Sequence, residues 1–381
     1  MTTRREKLVK RVQDSGFDGV LFATGPNLQY ITEANEYFWQ RACMKIVQGY
    51  PSAKLMPESL VYLNTEGDCT VVCIPSLKDK FPGNTVVLSY MDQFEDTLSR
   101  VIKKDTNIGI GSDCQQWMKE TLHEVNPNIK TTLVEDLFRD IRAIKEPQEI
   151  EILRELGKFT DDAVMYCVEN LKEGMTMFDA EQLLMQYGFD HNVPDFSFPP
   201  TAGFKTAGTF DKAHNFYFDR DAKLVPGTGI SFDVGYMNHG YCSDWGRTVH
   251  FGKAPQLVID GYKALNDGQC KMVDRINPYE TNVNELYHFV EEEVTRQGFE
   301  SYLRFRDTGA LGHQIGIDVH ELPMVYYEYD EVIKPGMVFA SEPKMMFDGI
   351  LYMRVEDMIL VTETGAEFLT NFPRDFFEFG I

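Results

Sequence analysis

The sequence predicts a mixed α/β (α+β) fold in two parts, an N-terminal αβ domain followed by a larger domain whose antiparallel strands carry the chemistry. Three observations predict it. From Arg4 to about Asp140, short apolar strand runs alternate with helical and polar stretches. Near Pro147 the pattern changes to long segments with a helical period. Further on, two stretches read as hairpins with acidic residues placed symmetrically about their turns.

The elements follow in chain order. An amphipathic helix opens at Arg4, and "GVLFAT" reads as a strand ended by a turn at Gly25-Pro26-Asn27. The runs "SLVYLN", "CTVVCI" and "TNIGIGS" supply further strands of a compact mixed sheet. Pro147 suits the first turn of a helix, and apolar residues then recur at Ile150, Leu153 and Leu156. The boundary therefore falls between Asp140 and Glu146, dividing the chain into residues 1–141 and 142–381. The second part opens with the helices "EIEILRELGKFTDDAVMYCVENL" and "TMFDAEQLLMQY", passes through a Phe/Pro/Gly-rich segment from Val193 to Phe218, and ends in strand pairs. A helix pair interrupts these at about Gln256 to Gln297, and the Phe-rich tail "NFPRDFFEFGI" reads as core or dimer packing.

Composition narrows the function classes. With 381 residues, 43% hydrophobic and 25% charged, the chain is an ordinary globular one with enough length for two cores. A net charge of −22, from 37 basic against 59 acidic residues, repels phosphate backbones and anionic lipid, so nucleic acid and membrane are not expected partners. No apolar run follows Arg4-Arg5 and no segment approaches a membrane span, which makes the cytoplasm the expected location. Seven cysteines, an odd number, fit reduced thiols rather than a disulfide framework. Cys69 and Cys73 share a strand face but lack the second Cys/His pair that a zinc site needs.

The stretch "ISFDVGYMNHGYCSDWGRTVHFG" places Asp233 and Asp244 at equal distances from the midpoint between Asn238 and His239. A hairpin turning there sets the two carboxylates opposite one another, about 5 Å apart on one face. In "FASEPKMMFDGILYMRVEDMILVT", Glu342 and Glu356 are equidistant from Gly349, within the Asp348-Gly349-Ile350 turn signal. Buried like charges need a cation, a shared proton or solvent to compensate them. Between the hairpins, "GALGHQIGIDVHELP" adds His313, His320 and Glu321 in a Gly-rich context. Four carboxylates and an imidazole form a hard, oxygen-rich set that suits two divalent ions better than a structural zinc. Such ions lower the pKa of bound water from ~15.7 toward ~7 and so supply a nucleophile.

"DVGYMNHGYCSDWGRT", "GHQIGIDVHELP", "SEP" and "RVEDMILVT" stand in the order and spacing of the pita-bread metallopeptidases: methionine aminopeptidase, aminopeptidase P and prolidase, with creatinase as a relative. The N-terminal αβ domain and the "RAIKEPQEIEILR" junction resemble the prolidase and creatinase branch. The resemblance implies a creatinase-like domain over residues 1–141 and a catalytic pita-bread domain over 142–381. It implies that Asp233, Asp244, His313, Glu342 and Glu356 bind two divalent metal ions, manganese first, with iron, cobalt or zinc as alternatives, and that Asp244 and Glu356 bridge them. Glu342 matches the general base, His320 a histidine that steadies the substrate and intermediate, His214 a histidine lining the pocket, and Arg354 an arginine near the site. It also implies a homodimer.

Three positions depart from the family pattern. Asp244-Trp245-Gly246-Arg247-Thr248 stands where Asp-x-Thr-Arg-Thr is usual, Gly312-His313-Gln314 where Gly-His-Gly is usual, and Glu342-Pro343-Lys344 where Glu-Pro-Gly is usual. None removes a ligand. The expected activity is hydrolysis of an Xaa-Pro peptide bond. The alternative is a non-peptidase of the same superfamily acting on a small molecule, either a C–N hydrolase or a dimethylsulfoniopropionate-type lyase. A binding module without catalysis is disfavoured, because such relatives typically lose ligands and this chain keeps all five.

Overall fold

The computed structural model describes residues 3–39, 46–48, 55–88, 93–206 and 220–380. They form two compact units, Met1–Arg142 and Ala143–Ile381.

In the first unit, α1 (Arg4–Asp14) starts at a capping box in which Thr3 and Glu6 satisfy one another's backbone N–H groups, and it buries Leu8 and Val12. Strand β1 (Gly19–Ala23) is buried along its whole length, which explains its uninterrupted apolar run. The expected turn at Gly25-Pro26-Asn27 is instead the start of α2 (Pro26–Thr32). Proline at the first helical position has its φ preset and lacks an N–H that would be unpaired there anyway, so the same residues serve a helix start. Beyond the two-stranded ribbon of β2 (Ile46–Gln48) and β3 (Leu55–Pro57) come β4 (Ser59–Asn64), β5 (Cys69–Cys73) and β6 (Asn84–Val87). Then follow α3 (Phe94–Ile102), β7 (Asn107–Ile110), α4 (Gln116–Val125), β8 (Lys130–Leu133) and the short α5 (Arg139–Ala143). The six-stranded sheet has the order β6-β5-β4-β1-β7-β8, with β1 antiparallel to β4 and parallel to β7.

The second unit opens with α6 (Pro147–Asn170), started by Pro147 as expected, and α7 (Met177–Asp190). The strands β9 (Asp195–Phe196), β10 (Thr201–Thr206), β11 (Thr228–Val234), β12 (Tyr236–Asn238), β13 (Tyr241–Cys242) and β14 (Trp245–Phe251) follow. The helix pair α8 (Gln256–Arg275) and α9 (Leu286–Arg296) precedes β15 (Gly312–Gln314), β16 (Glu321–Val325), β17 (Val338–Ser341), β18 (Lys344–Phe347), β19 (Leu351–Val361), β20 (Ala366–Phe368) and β21 (Glu378–Phe379). The main sheet runs β10-β11-β14-β19-β17-β15-β16 with antiparallel neighbours throughout. Helices α6 and α7 pack Val164 and Leu184 into a core with Phe232, Trp245 and Val249. Helices α8 and α9 pack Leu265 and Val290 against Phe339, Val355 and Ile359. The Phe-rich tail closes these cores: Phe372 is buried against Trp245, and β21 pairs with β14. No described helix is long and apolar enough to cross a membrane.

The first hairpin departs from the expected register. Asp233 pairs with Gly246, not with Asp244, and Asn238 pairs with Tyr241. The turn therefore centres on His239-Gly240, one residue later, because both central residues take positive φ (47° and 80°) and Gly240 does so without steric cost. The register shifts by two residues, leaving Asp244 in the break between β13 and β14. The second hairpin keeps the expected register. Lys344 pairs with Arg354 and Phe347 with Leu351 across Asp348-Gly349-Ile350, and Ser341 pairs with Asp357. Glu342 lies in the break between β17 and β18, with residues on both sides in the register that sets it across from Glu356.

One buried ion network fixes β14 against β19. Arg247, with no exposed side-chain surface, donates to the carbonyls of Gly246 and Glu356 and to Asp357 Oδ1 at 2.5 Å. Arg374 and Thr370 complete the ring around Asp357 at 2.6 and 2.7 Å. Burial by itself would raise the Asp357 pKa, but Arg247 and Arg374 outweigh it and hold the carboxyl at about 2. This folded pKa lies below the ordinary 3.8, so the contribution of Asp357 to stability is complete above that value and is lost as pH falls toward 2. Asp357→Ala leaves Arg247 charged and buried, and is expected to cost about 3–5 kcal/mol, read from urea unfolding at neutral pH. The difference from the parent protein should shrink in unfolding curves taken at successively lower pH.

Candidate metal centre

The main sheet assembles the site from three neighbouring strands. Asp233 comes from β11, Asp244 immediately precedes β14, and Glu356 comes from β19, where its Cα pairs with Gly246. One carboxylate oxygen from each of Asp233, Asp244 and Glu356 lies within 4.8 Å of the others. Asp244 and Glu356 are buried, whereas Asp233 keeps a third of its side chain accessible.

His313, buried on β15, brings its Nε2 to 3.4 Å from Asp244 Oδ2. Its Nδ1 lies 3.1 Å from the Gln314 carbonyl oxygen, which can only accept, so Nδ1 carries the proton and Nε2 is the atom available to a metal. The His320 ring lies tilted beside that of His313, with centroids 4.3 Å apart, and is the more exposed of the two. The Gly-rich context has steric reasons: a Cβ at Gly316 would come within 2.9 Å of Glu321 Oε2, and Gly312 sits at φ +152° against the Ala340 carbonyl. Behind the loop, the buried Lys145 Nζ bonds Gln314 Oε1 at 3.0 Å and Glu321 Oε2 at 3.2 Å. The departure at Gln314 thus belongs to the support of the histidine loop.

The remaining carboxylates face cations. Arg354 on β19 reaches Asp233 at 2.6 Å, Glu356 at 2.9 Å and Glu342 at 3.8 Å. Lys344 on β18 forms an ion pair with Glu342. Gly246 makes room for the arginine, because a Cβ there would overlap Arg354 Cδ and lie 2.7 Å from Glu356 Oε2. Sequence reading assigned Arg354 to the site but not Lys344, although the same hairpin symmetry that relates Glu342 to Glu356 also relates Lys344 to Arg354. His214 lies outside the described residues.

Two observations show that these groups suit a cation. Asp244 Oδ1 and Glu356 Oε1 are buried without a hydrogen-bond partner among the described residues, a costly state for a carboxylate unless it serves as a ligand. The titration behaviour is also uneven. Burial alone would raise Asp244, yet the hydrogen bond and charge of His313, helped by Arg354, hold it below the usual range, while burial and the Asp244 charge push Glu356 well above it. Adjacent carboxylates that cannot both ionise are short of positive charge, and a divalent ion held by Asp233, Asp244, His313 and Glu356 would supply it.

Gly246→Ala tests the packing of the arginine. The added methyl forces Arg354 away from Asp233 and is expected to cost about 1–3 kcal/mol in thermal unfolding. In an Arg354→Ala background the cost should largely disappear, giving a double-mutant coupling of comparable size.

Comparison with known proteins bears on the fold and the family. The chain resembles the Xaa-Pro dipeptidase of Pyrococcus furiosus, with 26% identity over 382 residues covering 98% of this chain and 99% of that one. It resembles the Xaa-Pro dipeptidase of Pyrococcus horikoshii at 27% over 386 residues, again covering 98% and 99%. The solved structure of a dipeptidase from Pyrococcus horikoshii OT3 superposes with a TM-score of 0.83 at 20% identity, spanning 99% of this chain and 100% of that one, so the fold is shared. Residues 151–363, more than half of the sequence and including all five expected ligands, match metallopeptidase family M24. With its antiparallel pita-bread sheet and converging carboxylates, the chain belongs to metallopeptidase family M24.

Proposed function

We propose that this protein is a metal-dependent Xaa-Pro peptidase of the prolidase or aminopeptidase P type. One observation carries the reading: Asp233, Asp244 and Glu356 offer oxygens within 4.8 Å of one another, beside His313 Nε2, with two buried oxygens left without partners. Asp233, Asp244, His313, Glu342 and Glu356 would hold the metal, two ions at full loading, manganese first and iron, cobalt or zinc as alternatives. Once bound, the metal supplies Lewis acidity to a substrate carbonyl and lowers the pKa of water to about 7.

The side chains divide the remaining work. Glu342, with a fifth of its side chain exposed, takes the proton of the attacking water. His320, beside His313 and open to solvent, donates a hydrogen bond to the carbonyl oxygen as negative charge develops, and the resemblance to the family adds His214 to that role. Arg354 holds Asp233 and Glu356 in place. The two relatives named Xaa-Pro dipeptidase support a peptide with proline after the scissile bond. A homodimer and a cytoplasmic location belong to the same reading. The second is supported by described cysteines that are all free thiols, whereas the first no longer rests on the tail, whose Phe372 is committed to the core.

A second reading, a small-molecule C–N hydrolase or dimethylsulfoniopropionate-type lyase, is favoured by one feature: Gly246 and Lys344 replace residues usual in the peptidases, the first altering the space and the second the charge at the carboxylates.

Incubation of the purified protein with Mn²⁺ and Xaa-Pro dipeptides or longer Xaa-Pro peptides is expected to cleave the Xaa-Pro bond, with activity lost to chelator and restored by Mn²⁺. Glu342→Gln should lower kcat by about 10²–10⁴-fold while the protein stays folded. Asp244→Ala should lose both metal and turnover. Full metal loading without Xaa-Pro cleavage would transfer the assignment to the small-molecule reading.

A further inference from the structure

We propose that Lys145 is a positioning residue for His320: its buried ammonium closes the neck of the loop over residues 315–320 and thereby fixes where that imidazole stands. This role rests on the functional reading above, in which His320 donates to the developing oxyanion.

Strands β15 and β16 enclose the loop, and their pairing sets its neck. His313 pairs with Met324 but Gln314 pairs with Glu321, so the register shifts between His313 and Gln314 and leaves residues 315–320 outside the ladder. His313 stands before the shift and is held by backbone pairing on both sides, with Met324 on β16 and Ala340 on β17. His320 stands inside the loop, exposed, and makes no hydrogen bond of its own among the described residues. Its place is inherited from Glu321, the next residue in the chain.

The Glu321 carboxylate gathers the loop. Its Oε1 accepts the Asp318 N–H at 3.2 Å, and a Cβ on Gly316 would come within 2.9 Å of its Oε2, so the loop backbone closes around the carboxylate. Lys145 Nζ meets the same group from behind, at 3.2 Å from Oε2, and reaches Gln314 Oε1 across the neck at 3.0 Å. One ammonium thus ties both ends of the loop. The side chains of Lys145 and Glu321 are only 1% and 5% exposed, so solvent neither screens the pair nor replaces it. Lys145 is itself fixed: its N–H donates to the Gly336 carbonyl at 2.8 Å, and Gly336 donates to Val361 on β19 at 2.9 Å. The histidine loop is therefore registered to the strand that presents Glu356. If the ammonium is removed, Glu321 keeps a buried charge that has lost its cation, and such a carboxylate turns toward water. Turning it out carries Asp318 and His320 with it.

Steady-state kinetics on Xaa-Pro dipeptides, Mn²⁺ content, and the ¹³C–¹H NMR signal of the His320 ring test this together, the signal being assigned by its loss in His320→Gln and recorded with diamagnetic Zn²⁺ present. Lys145→Met is expected to lower kcat about 10- to 100-fold with KM and Mn²⁺ content unchanged, and to shift and broaden the His320 signal as the ring samples several positions. In a His320→Ala background, Lys145→Met should lower kcat no further, because no imidazole is left to place. The double variant Lys145→Met/Glu321→Gln, which leaves neither charge buried, should show the same loss and the same signal change, and it replaces the single variant should that one not fold. An equal loss of kcat with and without His320 would overturn the proposal, as would a parent-like His320 signal in either folded variant. A parent protein that cleaves no Xaa-Pro peptide would overturn the functional reading alone; the His320 signal, which needs no turnover, then decides the role of Lys145 by itself.

Discussion

Repulsion among converging carboxylates is the constraint on which the second unit depends. Asp233, Asp244 and Glu356 meet within 4.8 Å, two of them buried, and Glu342 faces them from the next strand pair. In water such a group would separate; in a sheet core it persists only if positive charge is supplied and the backbone is held rigidly. Arg354 and Lys344 supply part of that charge from the chain itself. The partnerless oxygens of Asp244 and Glu356 mark where the rest has to come from.

Rigidity comes from β19. That strand pairs with β14, β17, β18 and β20, and so registers Glu356 against Gly246 on one side and β17 and β18 on the other. Arg247 then locks the junction from behind by bonding the carbonyls of Gly246 and Glu356 and the carboxylate of Asp357. Two adjacent acidic residues thus serve opposite ends. Glu356 faces the site and is compensated on one oxygen only, by Arg354, while its neighbour Asp357, on the other face of the strand, is fully compensated and holds the strand that presents Glu356.

Much of this was legible in the residues. Strand and helix positions followed from periodicity, the start of α6 from Pro147, and the second hairpin's register from the symmetry about Gly349. The first hairpin was misjudged by one residue, because acidic symmetry was given more weight than turn chemistry. Gly240 tolerates a positive φ, and the turn goes where that glycine can use it. Pro26 was read as a turn residue for a related reason, since proline's fixed φ serves a turn and a helix start equally well, and only the packing of Leu28 and Ile31 into the core decides between them.

By itself, the sequence determined the donor set: the number and types of acidic and imidazole groups, their order, and their resemblance to a metallopeptidase family, because those properties are local or carried by spacing along strands. Only the tertiary structure decided which charges neutralise which. Lys344 faces Glu342, Arg354 spans Asp233 and Glu356 through space left by Gly246, and Lys145 anchors Gln314 and Glu321 from well over a hundred residues away. Electrostatic compensation depends on distance and burial in three dimensions, and sequence separation specifies neither.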